Sequence, residues 1–69
     1  MDFSKWFADR FRELRKREGM TQSEFAEHSG IGIATIERIE RGKANNRMDT
    51  YLLIAQTLGI SLSKLFDDF

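Results

Sequence analysis

The sequence predicts an all-α fold of five helices. Apolar residues recur every three or four positions, the spacing of one buried helix face, as at Phe7 and Phe11. Helix-start and helix-end residues separate these stretches, for example Thr21 with Glu24 three positions later. We expect a single domain over residues 1–69, small enough that core burial depends on close helix packing or on a partner chain.

The first helix is expected from about Ser4 to Glu18, where Gly19 ends it. Its buried stripe is rich in aromatic residues and consists of Phe3, Phe7, Phe11 and Leu14. Arg15 stands four residues after Phe11, so that its guanidinium projects from the inward side of the helix. A charge placed there needs a partner of opposite sign.

The stretch from Thr21 to Gly42 indicates two short helices joined by a tight turn. Thr21 and Glu24 form a capping box for a helix from Gln22 to about His28. Gly30 then suits the left-handed conformation that ends many helices.

The third helix is expected to start after Gly32, a permissive N-cap, and to run to Arg41 before Gly42. Ile36 and Ile39 face inward. The outward face then presents Gly32, Ile33, Ala34, Glu37, Arg38 and Arg41. Helices joined this closely cross at a steep angle, which is the helix-turn-helix arrangement, and its second helix can enter a DNA major groove.

Asn46 is expected to cap a fourth helix that Gly59 closes. The buried face of that helix is predicted to comprise Met48, Tyr51, Ile54, Ala55 and Leu58. Ser61 caps a last short helix, in which Leu62, Leu65 and Phe66 cover the core.

Apolar residues left over in the last third of the chain predict a second buried surface. Leu53 does not fit the stripe of the fourth helix, Leu52 lies beside it, and Phe69 has no obvious contact within the chain. We expect Leu53 and Phe69, with Leu52 as a further candidate, to lie at the interface of a homodimer.

The sequence resembles the lambda-repressor-like (Cro and phage-repressor, XRE-type) helix-turn-helix family over roughly Phe11 to Phe66. The resemblance lies in the start GMTQ, the pair FA, the turn glycine, the helix IERIERG, Leu14-Arg15 and the segment IAQTLGIS. It implies a compact five-helix domain with the helix-turn-helix at helices 2 and 3. The implied function is a prokaryotic or phage transcription regulator, of repressor or controller type, that binds a two-fold-symmetric operator in double-stranded DNA as a homodimer.

The same resemblance implies the site residues. Base edges would be contacted by Gly32, Ile33, Ala34, Glu37 and Arg38, and phosphates by Thr21, Gln22, Arg41, Lys43 and Arg47. Arg15 and Glu40, both on inward faces, would form an ion pair. The family frequently has Gln, Ser or Arg where this chain has Ile33. Apolar side chains contact only thymine methyl groups, so polar readout would rest on Glu37 and Arg38.

The composition argues against several function classes. Without Cys, neither a disulfide framework nor a thiolate metal site is possible, and a cytoplasmic protein is expected. With one His, no phosphate-binding glycine loop and no paired metal ligands, we expect no enzyme, metal or cofactor. No apolar run approaches the ~18 residues that span a bilayer. We also expect no small-molecule ligand, since no second domain is predicted.

The net charge of zero is unusual for a nucleic-acid-binding domain, because phosphate neutralisation supplies most non-specific affinity. The first 47 residues nevertheless carry ten basic and eight acidic residues. The neutral net charge and the apolar Ile33 and Ala34 leave open an alternative function, an antitoxin or protein-interaction module with weak base readout. Two local alternatives also stay open: Ile33 packing on a neighbouring helix, and Arg38 pairing with an acidic neighbour.

Overall fold

A computed structural model describes residues 2–69, and the described residues form five α-helices and no strand. The helices are α1 (Phe3–Arg17), α2 (Gln22–Ser29), α3 (Ile33–Glu40), α4 (Met48–Leu58) and α5 (Leu62–Leu65). The predicted all-α, five-helix fold is therefore confirmed, with the ends of α1 to α4 within one or two residues of those expected. The last helix, expected over SLSKLFDDF, is shorter and ends at Leu65. No helix among residues 2–69 has the length and apolar composition that crossing a bilayer would require.

Local hydrogen bonds fix the helix-turn-helix. The backbone N–H of Glu24 donates to Thr21 Oγ1 at 3.1 Å, and the N–H of Thr21 donates to Glu24 Oε1 at 2.8 Å, which completes the capping box. After α2, Gly30 has φ of +78°, a conformation that residues with a Cβ rarely adopt. The buried Ser29 hydroxyl accepts from the N–H of Ile31 at 3.1 Å. These bonds hold the end of α2 and the first residues of the turn that leads into α3.

The core lies where α3 packs against α1 and α2 and where α4 packs against α2 and α5. Its fully buried side chains are Phe7, Phe11, Phe25, Ile36, Ile39, Ile54 and Leu65. The rings of Phe11 and Phe25 meet edge to face with centroids 4.9 Å apart, which fastens α2 to α1. The inward orientation of Ile36 and Ile39 fixes which face of α3 is left to solvent.

Phe69 contacts its own chain, contrary to the sequence-based expectation. Its ring lies 5.1 Å from the ring of Phe3 and 5.1 Å from that of Trp6, between centroids. Arg10 brings this end of the chain to α1, because its Nη2 donates to the carbonyl oxygen of Lys64 at 2.7 Å. Phe69 is still 58% exposed, so one face of its ring remains uncovered.

Two expectations for the start of α4 are wrong. Asn46 does not cap the helix: Arg47 occupies the N-cap position, and no side chain accepts a hydrogen bond there. Asn46 lies one residue too early to reach the first free amides, and its Nδ2 is buried without a partner among the described residues. Met48 is 60% exposed rather than buried, because the first turn of α4 precedes the turns that pack on the core, which begin at Tyr51.

Candidate nucleic-acid interface

The solvent-facing side of α3 presents the predicted base-reading residues. Ile36 and Ile39 point into the core, so the other side of the helix is turned outward. The residues exposed there are Gly32, Ile33, Ala34, Glu37 and Arg38. Ile33 is 41% exposed, so it does not pack fully against a neighbouring helix. An apolar side chain therefore stands in solvent at the first turn of α3.

Arg38 is held only loosely. Its Nη2 donates to Thr35 Oγ1, one turn earlier on α3, at 3.4 Å. It forms no salt bridge with any of residues 2–69, so it is not paired with an acidic neighbour. An exposed guanidinium without a carboxylate partner keeps its donors available for a ligand.

The predicted phosphate-binding residues differ in solvent exposure and in the polar contacts that they already make. Arg41 and Lys43 are exposed, whereas the exposed Arg47 lies 3.6 Å from Asp49 between Nε and Oδ1. Thr21 is exposed, although its hydroxyl already serves the capping box.

Gln22 is partly buried, and its side-chain Nε2 donates to Glu40 Oε1 at 3.2 Å. One groove is lined by residues from both predicted sets: Glu37 from the base-reading set, and Gln22 and Arg41 from the phosphate-binding set. Arg12 and Glu40 complete its lining. Ile33 and Ala34 at the start of α3, and Lys43 and Arg47 in the loop after it, lie outside this groove.

Arg15 and Glu40 face each other in the interior. Arg15 Nε donates to Glu40 Oε2 at 2.6 Å and Arg15 Nη2 donates to Glu40 Oε1 at 3.0 Å, which is a two-point ion pair. The third nitrogen, Nη1, donates to the carbonyl oxygen of Met20 at 2.7 Å. These bonds join α1 to the last turn of α3 and to the loop before α2.

Arg12 also contacts Glu40, and sequence reasoning missed this contact. Its Nη2 donates to the backbone carbonyl of Glu40 at 2.6 Å, and its Nε lies 3.3 Å from Glu40 Oε1. A signal was present in the sequence: Arg12 precedes Arg15 by three residues, so both side chains leave the same face of α1. Two arginines thus share one carboxylate.

The surroundings of Glu40 decide its charge. Burial alone would raise the pKa of its carboxyl group, but hydrogen bonds from Arg15 and Gln22 and the charges of Arg15 and Arg12 outweigh burial and hold that pKa below its ordinary value. The pKa of the exposed Glu24 is also lowered, chiefly by the hydrogen bonds of the capping box with Thr21. Both carboxylates are therefore ionised at neutral pH.

An apolar surface lies on α4, away from the core. Leu52 and Leu53 are both more than a third exposed, although α4 buries Tyr51, Ile54 and Ala55 on its other side. Two adjacent exposed leucines leave this helix apolar on more than one face.

Comparison with known proteins assigns the family. Residues 11–65 match the HTH_3 family, described as helix-turn-helix. The chain therefore belongs to the HTH_3 family, and the predicted resemblance to XRE-type, lambda-repressor-like proteins is confirmed. At this level the protein is a transcription regulator of HTH_3 type.

Relatives of two kinds share the domain. The HTH-type transcriptional regulator y4dJ of Sinorhizobium fredii is 36% identical over 61 residues, which cover 88% of this chain and 79% of that protein. Antitoxin HipB of Escherichia coli is 36% identical over 56 residues, covering 81% of this chain and 64% of HipB. Some matched regulators are longer, among them PuuR of Escherichia coli, and this chain spans between 32% and 46% of the length of three of them.

A solved structure shares the fold. The restriction-modification controller protein C.AhdI of Aeromonas hydrophila superposes with a TM-score of 0.85 at 33% identity. The superposition covers 91% of each chain. The five-helix arrangement is therefore that of a known small regulator.

Proposed function

We propose that the protein is a sequence-specific DNA-binding transcription regulator that binds a two-fold-symmetric operator as a homodimer. The observation that carries the proposal is the outward face of α3, where Glu37 and Arg38 are exposed beside the apolar Ile33 and Ala34. The buried Ile36 holds the opposite side of α3 against the core. A DNA major groove is wide enough to admit such a helix.

Each exposed residue of α3 suits one kind of base edge. Arg38 can donate two hydrogen bonds to O6 and N7 of a guanine, and Glu37 can accept from N4 of a cytosine. Ile33 and Ala34 offer apolar contact to thymine methyl groups. Gly32 is the N-cap residue of α3. Because glycine has no side chain, a base edge could approach its backbone closely.

Phosphate contacts would hold this helix in register. The residues proposed for them are Thr21, Gln22, Arg41, Lys43 and Arg47. They flank α3 in sequence on both sides, and three of them are exposed cations. Their positive charge supplies the salt-dependent part of the affinity despite the neutral total.

The proposed dimer buries Leu53, with Leu52 and the uncovered part of Phe69 as further members of the interface. Burial of these exposed apolar side chains between two copies adds core to a small domain. In such a dimer two α3 helices would meet successive major grooves about 34 Å apart, on half-sites roughly 10 base pairs from centre to centre.

A second candidate function is an antitoxin or other protein-interaction module. The exposed apolar Ile33 at the front of α3 and the similarity to antitoxin HipB favour it. An apolar first turn suits a protein partner as well as a thymine methyl group.

Genomic-fragment selection with the purified protein, followed by footprinting of the retained fragments, tests the proposal. We expect a palindromic protected site and binding that weakens steeply with salt, because several phosphates are neutralised. Retention of no specific fragment, or binding indifferent to salt, would contradict DNA regulation and favour the protein-interaction alternative.

A further inference from the structure

The carboxylate of Glu40 has donors around it other than Arg15. Three nitrogen atoms surround its Oε1: Arg15 Nη2 at 3.0 Å, Gln22 Nε2 at 3.2 Å and Arg12 Nε at 3.3 Å. Gln22 is the neutral member of this set. It is also the first residue of α2, at the helix end where phosphate contacts are proposed.

The bond to Glu40 determines which way the Gln22 amide points. An ionised carboxylate can only accept hydrogen bonds, so Gln22 must present its NH₂ group and turn its own oxygen away. The lowered pKa of Glu40 keeps the carboxylate ionised at neutral pH. One of the two amide hydrogens of Gln22 is used in this bond, and the second remains available to an acceptor outside the protein.

The surroundings of Gln22 include one cation without a carboxylate partner. Arg41 lines the same groove, together with Glu37; it is exposed and forms no salt bridge among residues 2–69. Arg12, by contrast, is balanced by Glu40 and by Asp9. The N-terminus of α2 adds the positive end of a helix dipole, which favours an anion.

We propose that Glu40 is a positioning residue for DNA binding, holding the Gln22 carboxamide so that its remaining N–H donates to an operator phosphate. The inference rests on the proposed function, since it concerns the phosphate contact of Gln22. The ion pair that fastens α3 to α1 then also sets the hydrogen-bonding direction of a side chain on α2. A Gln22 side chain that is ordered beforehand loses less conformational freedom when the phosphate arrives.

The first test needs no DNA. The chain contains two glutamines, Gln22 and Gln56, and Gln56 is an exposed residue of α4 with no side-chain hydrogen bond among residues 2–69. In ¹⁵N relaxation of the free protein we expect a rigid side-chain amide for Gln22 and a flexible one for Gln56, with an order parameter below about 0.6. Equal flexibility of the two amides would overturn the proposal, whatever the protein binds.

The second test is a double-mutant cycle on operator binding, with Gln22→Ala, Glu40→Gln and their combination. Each single variant should weaken binding about tenfold, the effect of losing one charge-assisted hydrogen bond. In the Gln22→Ala background, Glu40→Gln should add less than about twofold, because its effect passes through Gln22. Glu27→Gln, at an exposed position of α2 outside the proposed DNA-binding set, is the matched control for the lost charge.

Circular dichroism at the binding temperature establishes that each variant is folded. If Glu40→Gln lowers affinity equally with and without Gln22, its role is to support the fold and the positioning role is refuted. If Glu40→Gln does not fold, the relaxation comparison in the wild-type protein decides. A wild-type protein with a rigid Gln22 amide and no salt-dependent DNA binding would refute the proposed function while leaving the Glu40–Gln22 geometry intact.

Discussion

Replacement of Glu40 by alanine should destabilise the domain far more than replacement of Glu37, three residues earlier on α3. The two side chains have the same charge, but Glu40 is buried against Arg15 while Glu37 is exposed. Glu40→Ala leaves the Arg15 guanidinium in the interior without its carboxylate. A buried charge without a partner costs more than the pair contributed.

The magnitude follows from the exposure of the two arginines. The side chain of Arg15 is only 10% exposed, and without Glu40 the hydrogen bond to the Met20 carbonyl is the one bond of its guanidinium that remains. The side chain of Arg12 is 36% exposed and can turn to solvent, so it adds little to the loss. We therefore expect about 3 kcal/mol, the lower end of the range of about 3–5 for breaking a buried pair.

Such a loss is large for 69 residues. Domains of this size are stabilised by about 3–10 kcal/mol in total, at roughly 0.05–0.15 kcal/mol per residue. The midpoint of thermal unfolding should fall by roughly 12–24 °C, at about 4–8 °C per kcal/mol.

Urea unfolding followed by circular dichroism at 222 nm measures the effect. Glu37→Ala should shift the free energy of unfolding by no more than about 0.5 kcal/mol. Equal urea midpoints for Glu40→Ala and Glu37→Ala would show that the interior pair does not stabilise the fold. Arg15→Met in the Glu40→Ala background should restore part of the loss, because it removes the unpaired charge.

Other predictions concern DNA, assembly and pH. Arg38→Ala should weaken binding to a selected operator by about 1–3 kcal/mol and relax the preference at one position per half-site, whereas a uniform loss over all sequences would indicate a phosphate contact. Lys43→Ala should weaken binding to all sequences alike and lower the salt slope by about one, and an unchanged slope would remove Lys43 from the phosphate-binding set. Leu53→Glu should stay helical, sediment as a monomer and lose cooperative operator binding; a dimeric Leu53→Glu would exclude this surface. Since the folded-state pKa of Glu40 is lowered, its contribution to stability is present above the ordinary value of about 4.3 and is lost as pH falls through the folded-state value. Glu40→Gln should thus show a weaker acid dependence in urea unfolding than the wild type, and identical acid dependence would contradict the ionised pair.

Sequence reasoning placed the helices well where their signals are local. The capping box depends only on Thr21 and Glu24, and the left-handed Gly30 depends only on the absence of a Cβ. Ile36 and Ile39 fixed the buried side of α3 because helix geometry relates positions three residues apart. These features would persist in almost any packing of the five helices.

Features that depend on packing between helices were harder to predict. The Arg12 and Gln22 bonds to Glu40 join three helices. The three-residue spacing of Arg12 from Arg15 was a local signal for the first of these bonds, whereas Gln22 carries no local signal of its contact. The errors at Asn46 and Met48 both concern the start of α4, which begins one residue later than expected and is buried only from Tyr51 onward. Helical periodicity states which side of a helix is apolar, but not at which turn burial begins.

The composition of the α3 face has a consequence for specificity under the proposed function. Only Glu37 and Arg38 offer polar readout, and a good base contact discriminates by about 1–3 kcal/mol. Contacts of Ile33 with thymine methyl groups are less selective than hydrogen bonds, because they do not require a particular donor or acceptor. One α3 helix therefore distinguishes few base pairs, and a pair of helices at a fixed separation must supply the remaining selectivity through half-site spacing and DNA shape. In the proposed dimer, the contact at Leu53 would contribute to specificity by fixing that separation, although Leu53 itself would touch no base.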